Sequence, residues 1–179
     1  MIIAILLVLA VIIIVAFLVF VARQPDEFLV TRSVAIPAKP DVPYALVNDF
    51  HKWMAWSPWE GIDPAIKRTY GGPAEGGVGA TYAWDGNNKV GAGCMTITES
   101  RPANLVRLNL DFVRPFAAKN LTEFTFSPRG DHTIVTWIMS GRETFFTKAF
   151  SLVCGRDRIV GGMFDQGLAK MKTVCESFS

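Results

Sequence analysis

An α+β fold, in which a curved antiparallel sheet closes on one long C-terminal helix behind a single apolar N-terminal helix, is predicted by three observations. Ile2 to Ala22 is a continuous apolar run. From Phe28 to about Ser140 the chain breaks into short alternating segments separated by turn residues. Arg156 to Phe178 then places Ile159, Val160, Met163, Phe164, Leu168, Met171, Val174, Cys175 and Phe178 at three-and-four spacing, one stripe of a helix. Such a helix, roughly 33 Å long at ~1.5 Å per residue, needs a broad surface against which to bury its stripe. The preceding strands supply it.

The first run carries no charge, proline or glycine. Its 21 residues span roughly 31 Å, the thickness of a bilayer's hydrocarbon core of about 30 Å. A cleaved signal peptide is the competing reading, but the run lacks a basic leader, exceeds the usual apolar stretch of such peptides, and ends at Phe20-Val21-Ala22, a poor cleavage site. The expectation is therefore a retained single-pass anchor over residues 1–22. Arg23, Arg32 and Lys39 follow it, which by the positive-inside rule puts the domain on the cytoplasmic face. Residues 23–27 form a short polar joint in which Pro25 stops the helix, and the folded domain occupies 28–179.

Phe28 to Ile36 alternates as a first strand and ends at Pro37. Two short helices follow. In the first, Asp41 is the expected cap and Val42, Ala45, Leu46, Val47 and Phe50 the apolar face. The second carries Trp53, Trp56 and Trp59, three large rings that must close over something, either as a lid on the core or as part of a pocket mouth. Six strands are then expected: Ile66 to Tyr70, Val78 to Trp84, Gly91 to Glu99, Leu105 to Phe112, Phe116 to Phe126 and Thr133 to Met139. Val106, Leu108, Leu110 and Phe112 share one face against Arg107, Asn109 and Asp111, so the sheet has a wet side. Asn120 and Thr122 share the face of Phe124 and Phe126, and such inward polar groups need an internal partner or a bound molecule. Arg142 to Gly155, with Phe145, Phe146 and Phe150, is a short helix or flap beside a cavity or against a membrane surface.

Several function classes are excluded or disfavoured. A net charge of +2, from 18 basic and 16 acidic residues without a basic block, makes nucleic acid a poor partner. The glycines between 71 and 93 match no phosphate-binding loop, because Gly77-Val78-Gly79 opens a strand rather than a helix. Cys94, Cys154 and Cys175 have no metal-ligand or disulfide spacing and read as small buried hydrophobes, and nothing calls for a cofactor. His51 and His132 lie off the inner faces, as do Glu99, Asp111 and Glu123. Glu60, after the tryptophans, is positioned to cap or pair. No catalytic residue is assigned.

The ordered set Trp53-Met-Ala-Trp56-Ser-Pro-Trp59, Tyr70-Gly-Gly-Pro73, Gly77-Val-Gly-Ala-Thr-Tyr82-Ala-Trp84, Gly91-Ala-Gly93-Cys-Met95-Thr-Ile97, Thr136-Trp137 and Phe164-Asp-Gln-Gly167-Leu168 resembles the SRPBCC/START-like helix-grip superfamily, in its polyketide cyclase/dehydrase-like branch. The resemblance covers residues 30–178 and leaves the apolar run outside it. It implies an apolar cavity between sheet and helix, whose candidate lining is Trp53, Trp56, Trp59, Tyr82, Trp84, Met95, Leu110, Phe112, Asn120, Thr122, Phe124, Trp137, Met139, Met163, Phe164 and Leu168. It implies binding of a lipid-like or polycyclic apolar molecule more directly than catalysis. Two other readings stand beside it: an accessory subunit docked through its anchor into an integral membrane protein complex, and a cyclase or dehydratase.

Overall fold

A computed structural model describes residues 2–177, so Phe178 of the expected stripe lies outside the described residues. Helix α1 (Ile2–Ala22) leads by four residues into β1 (Glu27–Ile36). Helix α2 (Asp41–Asn48) and a 3-10 turn (Phe50–Ala55) follow, then β2 (Lys67–Gly71), β3 (Thr81–Asp85), β4 (Ala92–Arg101), β5 (Leu105–Arg114), β6 (Ala118–Arg129) and β7 (His132–Arg142). The chain closes with α3 (Phe145–Cys154), a π turn (Asp157–Gly161) and α4 (Gly162–Glu176).

All seven strands pair antiparallel in the order β1-β7-β6-β5-β4-β3-β2. The first strand joins the far side of the meander as an edge strand, β1 pairing with β7 along its whole length, from Glu27 opposite Arg142 to Ile36 opposite Thr133, and β2 forms the other edge. Two register shifts interrupt the β4–β5 ladder, at Ala92/Gly93 and Ile97/Glu99, irregularities of the kind that bend a sheet. Period-two alternation then sorts the faces. Val30, Ile97, Val106, Leu108, Phe124, Phe126, Val135 and Trp137 are buried with Phe164, Leu168, Met171 and Cys175 of α4. On the outer face Arg107 bridges Glu99 and Glu123 across three strands.

Four local expectations need correction. Asp41 does not cap α2 but lies in its first turn, with Pro40 at the cap position, and Phe50 opens the 3-10 turn instead of ending α2. Asp49 accepts the His51 amide there and breaks the helical path between the two. The third strand starts at Thr81 rather than Val78, because Gly76, Gly77 and Gly79 adopt positive φ values of 80°, 84° and 88°, which a strand excludes. The sixth strand starts at Ala118, which leaves Phe116 in the preceding turn, 55% exposed.

The largest correction concerns the C-terminal helix. Arg156 to Phe178 is not one α-helix, since the wider π turn precedes Gly162 and changes the angular phase of the chain. Ile159 thereby turns outward to 49% exposure and the buried stripe begins at Phe164. Arg32 of β1 fixes the junction by donating to both Asp157 (2.8 Å) and Asp165 (3.1 Å).

Candidate functional site

The strand register brings inward residues into rows across the sheet. Tyr82, Met95, Leu110 and Asn120 stand opposite one another on β3 to β6, and the row continues through Gly141 of β7 to Phe28 of β1. The next row toward the closed end holds Ile97, Leu108, Thr122, Met139 and Val30. Toward the open end lie Trp84, Gly93, Phe112 and Ala118. Gly141 is a requirement of this packing, because a Cβ there would sit 2.2 Å from Asn120 Oδ1 and 2.9 Å from the Phe28 ring.

Above these rows is a cavity of about 410 Å³, within the few-hundred Å³ range of small-molecule sites. The sheet provides its floor, the residues from Trp53 to Glu60 one wall, and Val160 and Phe164 another. Twelve of the sixteen sequence-predicted residues line it, namely Trp53, Trp59, Tyr82, Trp84, Met95, Leu110, Phe112, Asn120, Thr122, Trp137, Met139 and Phe164, so the inner face was assigned from the correct alternation. Trp56, Phe124 and Leu168 do not; they are buried in the core beyond the closed end. Met163, in the first turn of α4, is half-buried and also off the cavity wall, one position round the helix from Phe164.

The tryptophans divide by role. Trp53 Nε1 donates to the Val47 carbonyl (2.9 Å) and Trp56 Nε1 to the Leu46 carbonyl (3.1 Å), so both indoles satisfy acceptors that the end of α2 leaves open. Trp84 Nε1 donates to the Val90 carbonyl, which closes the β3–β4 hairpin. Trp137 lies flat on Phe164, with ring centroids 3.9 Å apart and planes 7° apart, and Trp59 meets both edge-on. Its Nε1 has no hydrogen-bond partner, and neither has Thr122 Oγ1. Both residues are almost wholly buried, on adjacent strands at the closed end of the cavity. A buried polar atom left without a partner costs about 1–3 kcal/mol, so this pair stands out against the satisfied indoles.

A second polar group sits on the wall from Trp53 to Glu60 and was only partly legible. Glu60 accepts from Arg68 Nη2 (2.5 Å) and, through its other oxygen, from the Tyr82 hydroxyl (2.9 Å). Burial, then the hydrogen bond to Glu60, raises the Tyr82 phenol far above its ordinary value. The phenol is thus a donor at neutral pH and a poor proton source, and both carboxylate oxygens are engaged. This arrangement orients a polar edge better than it transfers protons. His51 stacks on Tyr70 and His132 pairs with Asp131, both away from the cavity. Among the described residues no three His, Cys, Asp or Glu side chains gather closely enough to hold a metal ion.

Sequence reasoning set the segment from Arg142 to Gly155 beside a cavity but missed the other side chains of the mouth. Phe28, Lys89, Arg114, Phe116, Arg142, Thr147 and Arg156 line it. Arg156 covers the Phe28 ring (4.1 Å to its centroid) and pairs with Glu143. It lies off the apolar stripe, so local spacing carries no sign of this contact, and only the fold brings it over a ring 128 residues away in sequence.

The family model described as "Polyketide cyclase / dehydrase and lipid transport" matches residues 27–176. Comparison with curated proteins finds no match. Among solved structures, a Thermobifida fusca protein is 21% identical over 80% of this chain and 90% of its own, with a TM-score of 0.61. A Mesorhizobium loti protein is 13% identical over 85% and 99%, also at 0.61, and a Chromobacterium violaceum protein 14% identical over 86% and 99%, at 0.59. At such identities these likenesses speak to the fold alone. The family match extends from the first strand to the last turn of α4, and by it this chain belongs to the polyketide cyclase/dehydrase and lipid transport family.

Proposed function

We propose that the domain binds a lipid-like or polycyclic apolar molecule in the cavity between sheet and α4, while α1 holds it to a membrane as a single-pass anchor, with the domain on the cytoplasmic face. The observation that carries the binding reading is an aromatic-walled cavity whose closed end presents two buried polar atoms, Trp137 Nε1 and Thr122 Oγ1, without partners. An apolar body with one oxygen at its inner end would complement that combination. The membrane reading is supported by α1, which is long and apolar enough to cross a bilayer and has almost all of its side chains exposed.

The test uses the full chain purified in mild detergent. Native mass spectrometry is expected to reveal a co-purifying apolar species, and an anthroyloxy fatty acid should bind with its fluorescence enhanced. Leu110→Trp, which fills the cavity, should abolish binding. Thr122→Val combined with Trp137→Phe should weaken the oxygenated probe by about tenfold, one hydrogen bond's worth of affinity, with little effect on an oxygen-free hydrocarbon of the same size. Absence of any bound species together with no probe binding would overturn the reading, and repeated co-isolation with one integral membrane complex in that case would favour an accessory subunit.

A further inference from the structure

Outside α1, the exposed phenylalanines among the described residues are Phe116, Phe145, Phe146 and Phe150: Phe116 lines the cavity mouth, and the other three lie on α3, whose Thr147 lines it too. Phe146, Phe150 and Val153 follow at i, i+4 and i+7 on one face of α3, pointing away from the protein. Phe116 reaches over from the β5–β6 turn, its ring 5.2 Å from that of Phe146. Elsewhere on the domain the large exposed apolar residues are aliphatic, among them Leu29, Met54, Val78 and Leu121. A concentrated aromatic patch of this kind marks a surface that meets something apolar.

What it meets follows from the other side of α3. Lys148 is buried there and donates to the Gln24 carbonyl (2.7 Å) and to Asp26 (2.5 Å), immediately beyond the last residue of α1. Helix α1 itself packs on α3. The patch is therefore fixed beside the point where α1 would leave a bilayer. Lys89 and Arg142 stand around the same mouth, with Arg114 there paired to Asp85, and positive charge mixed with aromatic rings is the composition of a membrane interface facing anionic headgroups.

Resting on the proposed cavity and anchor, we propose that α3 and the β5–β6 turn insert their phenylalanines into the bilayer from which α1 emerges, so that the cavity exchanges its ligand directly with the membrane. Two experiments on the full chain in nanodiscs containing phosphatidylserine test this. In the first, p-benzoylphenylalanine is placed at 146, at 150 or, as a control, at 78. Photolysis should give lipid adducts at 146 and 150 and none at 78. No lipid adducts at 146 and 150, or adducts to protein instead, with α1 intact by mass and protected from protease, would overturn the proposal.

In the second, Phe146→Asp with Phe150→Asp should slow loading of the anthroyloxy probe from vesicles by roughly tenfold while its equilibrium affinity in detergent is retained. Equal loading rates in wild type and variant would sink the proposal and leave the cavity reading intact. Failure of the wild type to bind the probe at all would instead sink the cavity reading, and with it the exchange of ligand proposed here, while the adducts would still decide whether the rim lies in the bilayer.

Discussion

At the scale of single residues, Phe124 and Leu110 separate what is core from what is cavity. Both face inward from neighbouring strands, yet Phe124 is fully enclosed, edge-on to Trp53 and Trp56, while Leu110 borders open space. Phe124→Ala should therefore cost about 3–5 kcal/mol in urea unfolding, the range for a large buried ring, and Leu110→Ala markedly less. Cys175 offers a second readout. Burial, with Glu176 nearby, pushes its thiol up to about 11, so alkylation of the folded protein at mildly alkaline pH should be slow at this position and rapid once urea is added. Alternation in the sequence located the inward face, and with it Asn120, Thr122, Trp137 and Met139. It carried no information on where side chains fill the interior and where they stop, which is why Trp56, Phe124 and Leu168 were grouped with the lining.

Among the elements, α3 was the least legible and has the clearest consequence. Its aromatic residues were visible, but that Lys148 turns inward to grip the end of α1 depends on contacts more than 120 residues apart in sequence. Lys148→Met should loosen α3, seen as faster amide hydrogen exchange over 145–154 at neutral pH with the strands unaffected. The hydrogen bond from Lys148, and then its charge, hold the Asp26 carboxyl below its ordinary range. A carboxyl lowered in the folded state adds stability above its unfolded pKa of about 3.9 and loses it as pH falls through the folded value, so wild type should approach the variant's exchange only in strong acid. Strands were easier: turn residues marked their ends, except where Gly76 to Gly79 bent the chain before β3 and where Phe116 stayed in a turn. The π turn escaped because the three-and-four pattern continues through Ile159 and Val160 although the backbone does not.

For the whole molecule, composition and order together were enough to read a sheet closed on a terminal helix behind an apolar leader, because each element's period is set by its own backbone geometry. If α1 is retained in a bilayer, the chain should stay in the membrane pellet after alkaline carbonate washing. Its domain should be digested by protease added to inverted vesicles and spared in right-side-out ones, whereas a cleaved leader would release a shortened chain into the wash. Of the mouth only the segment from Arg142 to Gly155 was legible, since the rest assembles on it from around residues 28, 89, 116 and 156, which share no local pattern.

Four residues separate α1 from β1, and β1 is then bound along its full length to β7. At no more than ~3.6 Å per residue that link gives the domain almost no arm to swing on. On the proposed anchor, a molecule built this way would be a fixed post and not a ferry. With α1 held in a bilayer and the cavity loaded, as proposed above, its traffic would be limited by two-dimensional diffusion in the sheet of lipid beneath it, and any protein that collected its cargo would have to come down to that plane to do so.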